Sequence, residues 1–214
     1  MIVSAEGSDY KPTPEGTFMA VCTRVVDLGT QVSNFAGQEK AQRKVLLSWE
    51  IPEVETVDQD GQPRPALISS SFTASLHEKA SLRKVLKSWR GRDFTAEELK
   101  GFDMKNVLGA GCLVSVVHTD RDGKTFANVE TVMGLPKGMP KPTPAGELIN
   151  FDLDAFEREA FDKLSPRLRE KIEATPEFKA ATGEEDFRST APGEVPGGYD
   201  YPADYGGPDD IVPF

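Results

Sequence analysis

Through the first two-thirds of the chain, apolar residues alternate with polar ones more often than they recur at helical spacing. Lys44–Ile51 is the clearest case. Val45, Leu47, Trp49 and Ile51 fall on one face and Leu46, Ser48 and Glu50 on the other, the period of two expected of a strand with one buried side. Thr17–Asp27 is rich in Val, Thr and Phe and ends at Gly29, while Leu67–Ala74 sets Ile68, Ser70 and Phe72 against Leu67, Ser69, Ser71 and Thr73. Cys112–His118 and Phe126–Met133 flank Asp120-Arg121-Asp122-Gly123. Its Asp-Gly predicts a hairpin, because a tight two-residue loop needs positive φ at both positions.

One stretch changes period. Leu82, Val85, Leu86 and Trp89 recur at i, i+3, i+4 and i+7 before Gly91, which predicts an amphipathic helix with a glycine stop. Ser75 with Glu78 has the form of a capping box for it, and Thr95 with Glu98 that of a second, shorter helix. Three strands, a helix, then two strands is the order of an OB-fold, a five-stranded Greek-key barrel with a helix after strand three. The expected fold is therefore mainly β.

Beyond this barrel the composition shifts twice. Gly134–Gly146 carries four prolines and reads as a linker. After it, Asp152–Ala160 and Pro166–Ala174 read as short helices, and Leu153, Phe156, Phe161, Leu164, Leu168 and Ile172 supply an apolar face for the main domain or a partner. Gly183–Phe214 has six Gly and five Pro in 32 residues, too little apolar surface to offset ordering entropy, and is expected to be disordered. The expected organisation is a flexible arm over 1–14, an OB domain over 15–134, a Pro-rich linker over 135–150, a short helical segment over 151–181 and an acidic tail over 182–214.

A length of 214 residues with 38% hydrophobic and 28% charged side chains fits one medium domain with appendages. No apolar run approaches the roughly 18 residues of a membrane span, and residues 1–16 lack a basic region ahead of an apolar one. Cys22 and Cys112 lie far apart in apolar runs, neither a disulfide framework nor a zinc spacing. A cytoplasmic protein is expected. The net charge of −10 is unevenly spread: residues 1–146 are neutral, 147–181 carry −3 and 182–214 carry −7. A neutral body with an acidic tail is a different object from an acidic protein.

Catalytic chemistry is sparse. His77 and His118 are the only histidines and sit in no metal-ligand spacing. Gly109-Ala110-Gly111 lacks the third glycine and the following helix of a dinucleotide site, and neither a Walker motif nor a Gly-x-Ser-x-Gly elbow occurs. Asp120 and Asp122 have Mg²⁺-compatible oxygens, but beside Gly123 turn formation explains them. Neither an enzyme nor a cofactor is expected.

Binding chemistry is better represented. OB-folds take oligonucleotides on the face of strands two and three, between the loops that join strands one to two and four to five. Gly29–Arg43 reads as a long polar loop with Phe35, Lys40 and Arg43, followed by Lys44, and the hairpin adds Arg121 and Lys124. Cations neutralise phosphates, and an aromatic face stacks a base. Trp49 and Phe72 are either such faces or core, and Trp49 shares its side with Val45, Leu47 and Ile51, which favours core. The helix cations Arg83, Lys84, Lys87, Arg90 and Arg92 form a solvated face or an extension of the path. The candidate DNA-binding set is Phe35, Lys40, Arg43, Lys44, Trp49, Phe72, Arg121 and Lys124.

The chain closes on Asp209-Asp210-Ile211-Val212-Pro213-Phe214. This end resembles the tail of bacterial single-stranded DNA-binding proteins, in which a Gly/Pro-rich segment and an acidic run precede Ile-Pro-Phe. Here Val212 stands between Ile and Pro, and the acidic run is two residues. The resemblance implies a docking peptide, Asp209 to Phe214, for replication, recombination and repair proteins. It leaves open a homo-oligomer. Ser75–Lys84, Trp89–Arg92, Phe102–Gly109 and Lys171–Phe178 are similar to a family of bacteriophage-encoded proteins assigned to DNA replication, over about residues 15–180. Together these imply sequence-independent binding of single-stranded DNA in phage replication or recombination, within the host cytoplasm, with partners recruited through the tail. The alternative is an adaptor that binds no DNA and engages host replication proteins through the same peptide.

Overall fold

The computed structural model describes residues 12–35, 38–57 and 61–183. The alternating segments form one six-stranded, mainly antiparallel sheet: β1 (Gly16–Phe35), β2 (Gln38–Val57), β3 (Pro63–Thr73), β4 (Gly111–Arg121), β5 (Lys124–Gly134) and β6 (Ile149–Phe151). The order is β3-β2-β1-β4-β5, with β6 added parallel to β1 at Arg24–Val26, beyond the reach of β4. Helices α1 (Ser81–Arg90), α2 (Arg158–Asp162), α3 (Pro166–Glu173) and α4 (Pro176–Thr182) complete the described elements with one short 3₁₀ turn at Met104–Val107. Among the described residues no ladder joins β3 to β5, so the sheet is not closed as a barrel would be; α1 packs on both of these strands.

The first correction concerns the expected loop between strands one and two. Most of it is a β-ribbon, because Thr30 pairs with Arg43 and the ladder continues to Phe35 with Gln38. The register slips between Asp27 and Thr30, where Gly29 has a φ of 65°, so the ribbon leaves the sheet through a bulge. Its strands carry no apolar alternation, and none is needed beyond the base, where Val32 and residues 38–41 are exposed. Val32 is 66% exposed. The second correction is at α1, which begins at Ser81 with Ala80 at its N-cap and no side-chain cap. Ser75 instead accepts from the His77 amide at 3.2 Å. Thr95 and Glu98 do exchange the reciprocal bonds of a capping box, but around a single turn.

Strand alternation puts a separate core on each side of β1 and β2. The inner one gathers Ala20, Cys22, Val25, Val45, Leu47, Trp49, Ile51, Ile68, Phe72, Leu86, Trp89 and Val114. On the opposite face, Val26, Leu28 and Leu46 meet Ile149, Phe151, Leu153, Phe161, Leu164, Leu168, Ile172 and Phe178. The C-terminal segment thus lies on the outer face of β1 and β2 and adds a strand to their sheet. The proline-rich stretch is a strap leading to it. Gly111, Val21 and Glu50 form one row across β4, β1 and β2. A Cβ on Gly111 would stand 2.7 Å from the Leu135 side chain and 3.1 Å from that of Lys141, and the Ala145 amide donates to Glu50 Oε1 at 2.6 Å.

Both cysteines are free and fully buried. Burial pushes the Cys22 thiol up to about 12 and that of Cys112 higher still, which withholds the reactive thiolate. In Ellman's assay at pH 8 the native protein should release no thiol colour, and two equivalents should appear in guanidinium. One equivalent reacting within minutes in the native protein would contradict this burial.

Candidate nucleic-acid interface

Ladder register determines where the predicted binding residues fall. On the ribbon, Lys40 pairs with Ser33 and is exposed, while Phe35 ends β1 opposite Gln38. The ring of Phe35 lies outside the described side chains. Arg121 and Lys124 face each other, exposed, at the end of the β4–β5 hairpin, where Asp122 and Gly123 take the positive φ values of 51° and 74° their turn requires. These two projections do not converge. β4 runs antiparallel to β1 and reaches Gly16 at Val116, so the hairpin tip lies past the start of β1 and the ribbon at its far end. From Gly16 to Ser33 the strand contour is on the order of 50 Å.

Three predicted contacts have other roles. Trp49 is completely buried and its ring centroid stands 6.0 Å from that of Trp89; Phe72 is 5% exposed in the same cluster. Neither ring has a free face for a base, because strand alternation turned both inward with Val45 and Leu47. Arg43 is held at the base of the ribbon, bonded to Asp27 and, at 2.9 Å, to Asp154. These hydrogen bonds, Asp27's first, hold its guanidinium well above the ordinary range, and a cation so neutralised has little left for phosphate. Lys44 is half-buried opposite Thr73.

Four of the five cations in and after α1 are also held in ion pairs, two on each of two carboxylates. Arg83 and Lys87 converge on Asp93, at 3.2 and 2.8 Å, and Arg90 and Arg92 on Glu98. The Arg90 guanidinium also lies over the Phe94 and Phe102 rings, at 4.5 and 4.8 Å. Hydrogen bonds from these partners, that of Lys87 first for Asp93 and that of Arg92 first for Glu98, hold both carboxyls well below their ordinary range. Four of the five cations that read as a basic face thus tie α1 to the turn after it, and Lys84 is exposed on the helix.

Two cations escaped the reading of the sequence. Arg24 pairs with Ser48 on the outer face, next to the hydroxyl pair in which Ser69 donates to Ser48 at 2.8 Å. Burial pushes its guanidinium pKa down, the charge of Arg64 acts in the same direction, and Glu50 opposes both. Arg64, the second of the two cations, is exposed on β3 opposite Thr56 of β2. Arg24 stands at a bulge between Cys22 and Arg24 that shifts strand parity, so alternation alone did not assign it to a face. Among the described residues, no group of three His, Cys, Asp or Glu side chains is arranged to hold a metal ion. His118 is engaged with the N-terminal approach, its Nε2 2.8 Å from the Thr13 carbonyl and its amide donating to Glu15. No described helix is long and apolar enough to cross a membrane. Residues Asp209 to Phe214 lie outside the described residues.

No protein-family model matches the chain, and a search of the curated proteins finds no match.

Proposed function

We propose that this protein binds single-stranded DNA without sequence preference, as an open OB-type barrel, and recruits replication or recombination partners through Asp209–Phe214. The observation that carries the reading is topological. The strand path β3-β2-β1-β4-β5, with a helix between the third and fourth strands packed on both ends of the path, is compatible with the order expected of an OB barrel that lacks the ladder from β3 to β5, and this supports the reading. On this reading the strand follows the β1–β2 ribbon past Lys40 and crosses towards Lys44, Arg24 and Arg64. Arg121 and Lys124 lie on a separate projection and serve longer substrates or none. Phosphate neutralisation supplies most of the affinity, since two of the three aromatic candidates are in the core.

The test is fluorescence anisotropy with a labelled oligo-dT of about 30 nucleotides and a duplex of equal length at two salt concentrations. With about three phosphate contacts, single-strand affinity should fall by roughly 100-fold per tenfold rise in salt, following a slope near −0.7 per contact, and the duplex should bind weakly. Absence of single-strand binding at low salt sinks the proposal.

The second reading, an adaptor that binds no DNA, is favoured by the engagement of Arg43, Arg83, Lys87, Arg90 and Arg92 in ion pairs within the protein. It predicts binding of replication proteins to the terminal peptide by a chain inert towards both oligonucleotides.

A further inference from the structure

The base of the β1–β2 ribbon is gripped by the C-terminal segment. The Thr30 amide donates to Glu177 Oε2 at 3.0 Å, and the Thr30 hydroxyl donates to Oε1 of the same carboxylate. One residue on, Gln31 Nε2 donates to the Leu28 carbonyl at 2.6 Å and reaches that of Lys171 at 3.4 Å. Arg43, the ladder partner of Thr30, joins Asp27 of β1 to Asp154 ahead of α2. Gly29 passes so close beneath Thr175 that a Cβ there would lie 2.7 Å from its Oγ1. All these contacts fall within the bulge and the first two pairs of the ribbon.

A two-stranded ribbon is marginal alone and twists strongly, and a bulge is where its direction changes. The elements that hold the pairs next to the bulge therefore aim everything beyond them. Both Glu177 oxygens are used as acceptors, an arrangement that favours the ionised carboxylate. Burial raises its pKa, but the hydrogen bonds from Thr30 and the charge of Arg43 outweigh that and leave it below the ordinary range.

We propose that the C-terminal segment is the mount of the β1–β2 ribbon, with Glu177 as the positioning residue that aims Lys40 and the ribbon tip. That the aimed surface meets a DNA strand rests on the function proposed above; the mount does not. Glu177 rather than Arg43 is the informative position. Arg43 also balances two other carboxylates, and its loss would disturb the sheet end itself, whereas Glu177 reaches the ribbon from α4 alone.

The experiment compares full-length wild type, Glu177→Ala, Glu177→Gln and Thr30→Val by backbone amide hydrogen exchange without DNA, by thermal melting and by oligo-dT anisotropy. Glu177→Ala should speed exchange across residues 30–43 by about five- to tenfold. Amides of Leu46–Glu50 and Ile68–Phe72 should keep their rates, and Tm should move by no more than about 2 °C. Thr30→Val, which keeps the amide donor, should give a smaller effect, and Glu177→Gln, which keeps a carbonyl acceptor, should recover most of the protection. Unchanged ribbon exchange in Glu177→Ala overturns the mount, as does equal acceleration over β2 and β3. Anisotropy separates the two proposals. Faster ribbon exchange with unaltered oligo-dT affinity supports the mount and takes the ribbon out of the DNA path.

Discussion

A chain ending at Gly146 is expected to aggregate or remain molten, whereas a chain ending at Gly183 should melt with the full protein. Val26, Leu28 and Leu46 are completely buried, and on the outer face they pack against residues that all come from beyond position 148. Burying such a side chain is worth about 1.5–3 kcal/mol, so exposing three costs roughly 5–9 kcal/mol. That is comparable to the whole 5–15 kcal/mol margin of an ordinary domain. The shorter chain also loses the β6 ladder on Arg24–Val26 and leaves a contiguous apolar stripe on a sheet face, which promotes association. The removed segment takes its own ordering entropy with it, so the loss is set by what remains exposed on β1 and β2. Circular dichroism melts and size-exclusion profiles of the two truncations decide the matter. A cooperative melt of the shorter chain within a few degrees of the full protein would mean that the outer core is an accessory.

That outer core shows where a reading of the sequence succeeds and where it stops. Leu153, Phe156, Phe161, Leu164, Leu168 and Ile172 do gather on one side, but the helix expected over Asp152–Ala160 is only Arg158–Asp162, with Leu153 and Phe156 in the irregular stretch ahead of it, and what the group covers depends on Leu46. A lone leucine on the polar side of a clean alternation gives no sign of which element will reach it. The Asp122-Gly123 hairpin and the Gly91 helix stop were legible because each depends on backbone conformations few residues adopt. The helix α4 was missed although Thr175-Pro176 repeats the cap-and-proline start of Ser165-Pro166, both of which accept from an amide three residues on. The candidate site was the least legible part. Charge was visible but neutralisation was not, since Asp93, Glu98, Asp27 and Asp154 find their cations only through tertiary geometry. Arg43 reads as a loop cation until β6 and α2 bring Asp154 beside it.

The same geometry weighs on function. On the proposed reading the binding surface is thinner than the sequence suggests, with Lys40, Lys44, Arg24 and Arg64 along β1–β3 and Arg121 and Lys124 on a separate projection. If the proposed function holds, affinity is expected to be salt-sensitive and sequence-tolerant, and the direction of the ribbon to matter more than any single contact.

Trp49 provides the second large effect, because its two roles predict opposite results. As a core residue, Trp49→Ala should cost about 3–5 kcal/mol, which for a chain of this size lowers Tm by roughly 6–20 °C. Trp49→Leu keeps much of the apolar volume and removes an indole N–H that finds no acceptor among the described residues, so its cost should stay near 1–2 kcal/mol. As a stacking platform, either change would instead remove about 1–3 kcal/mol of oligonucleotide affinity with little effect on melting. Complete burial and the tilted contact with Trp89 at 6.0 Å place the residue in the first case. Trp49→Leu should therefore melt lower and, at a temperature well beneath its own Tm, bind oligo-dT as the wild type does. A Trp49→Leu protein with unchanged Tm and tenfold weaker binding would require the β2 face to open towards the ligand, and the inner core would then be the binding groove.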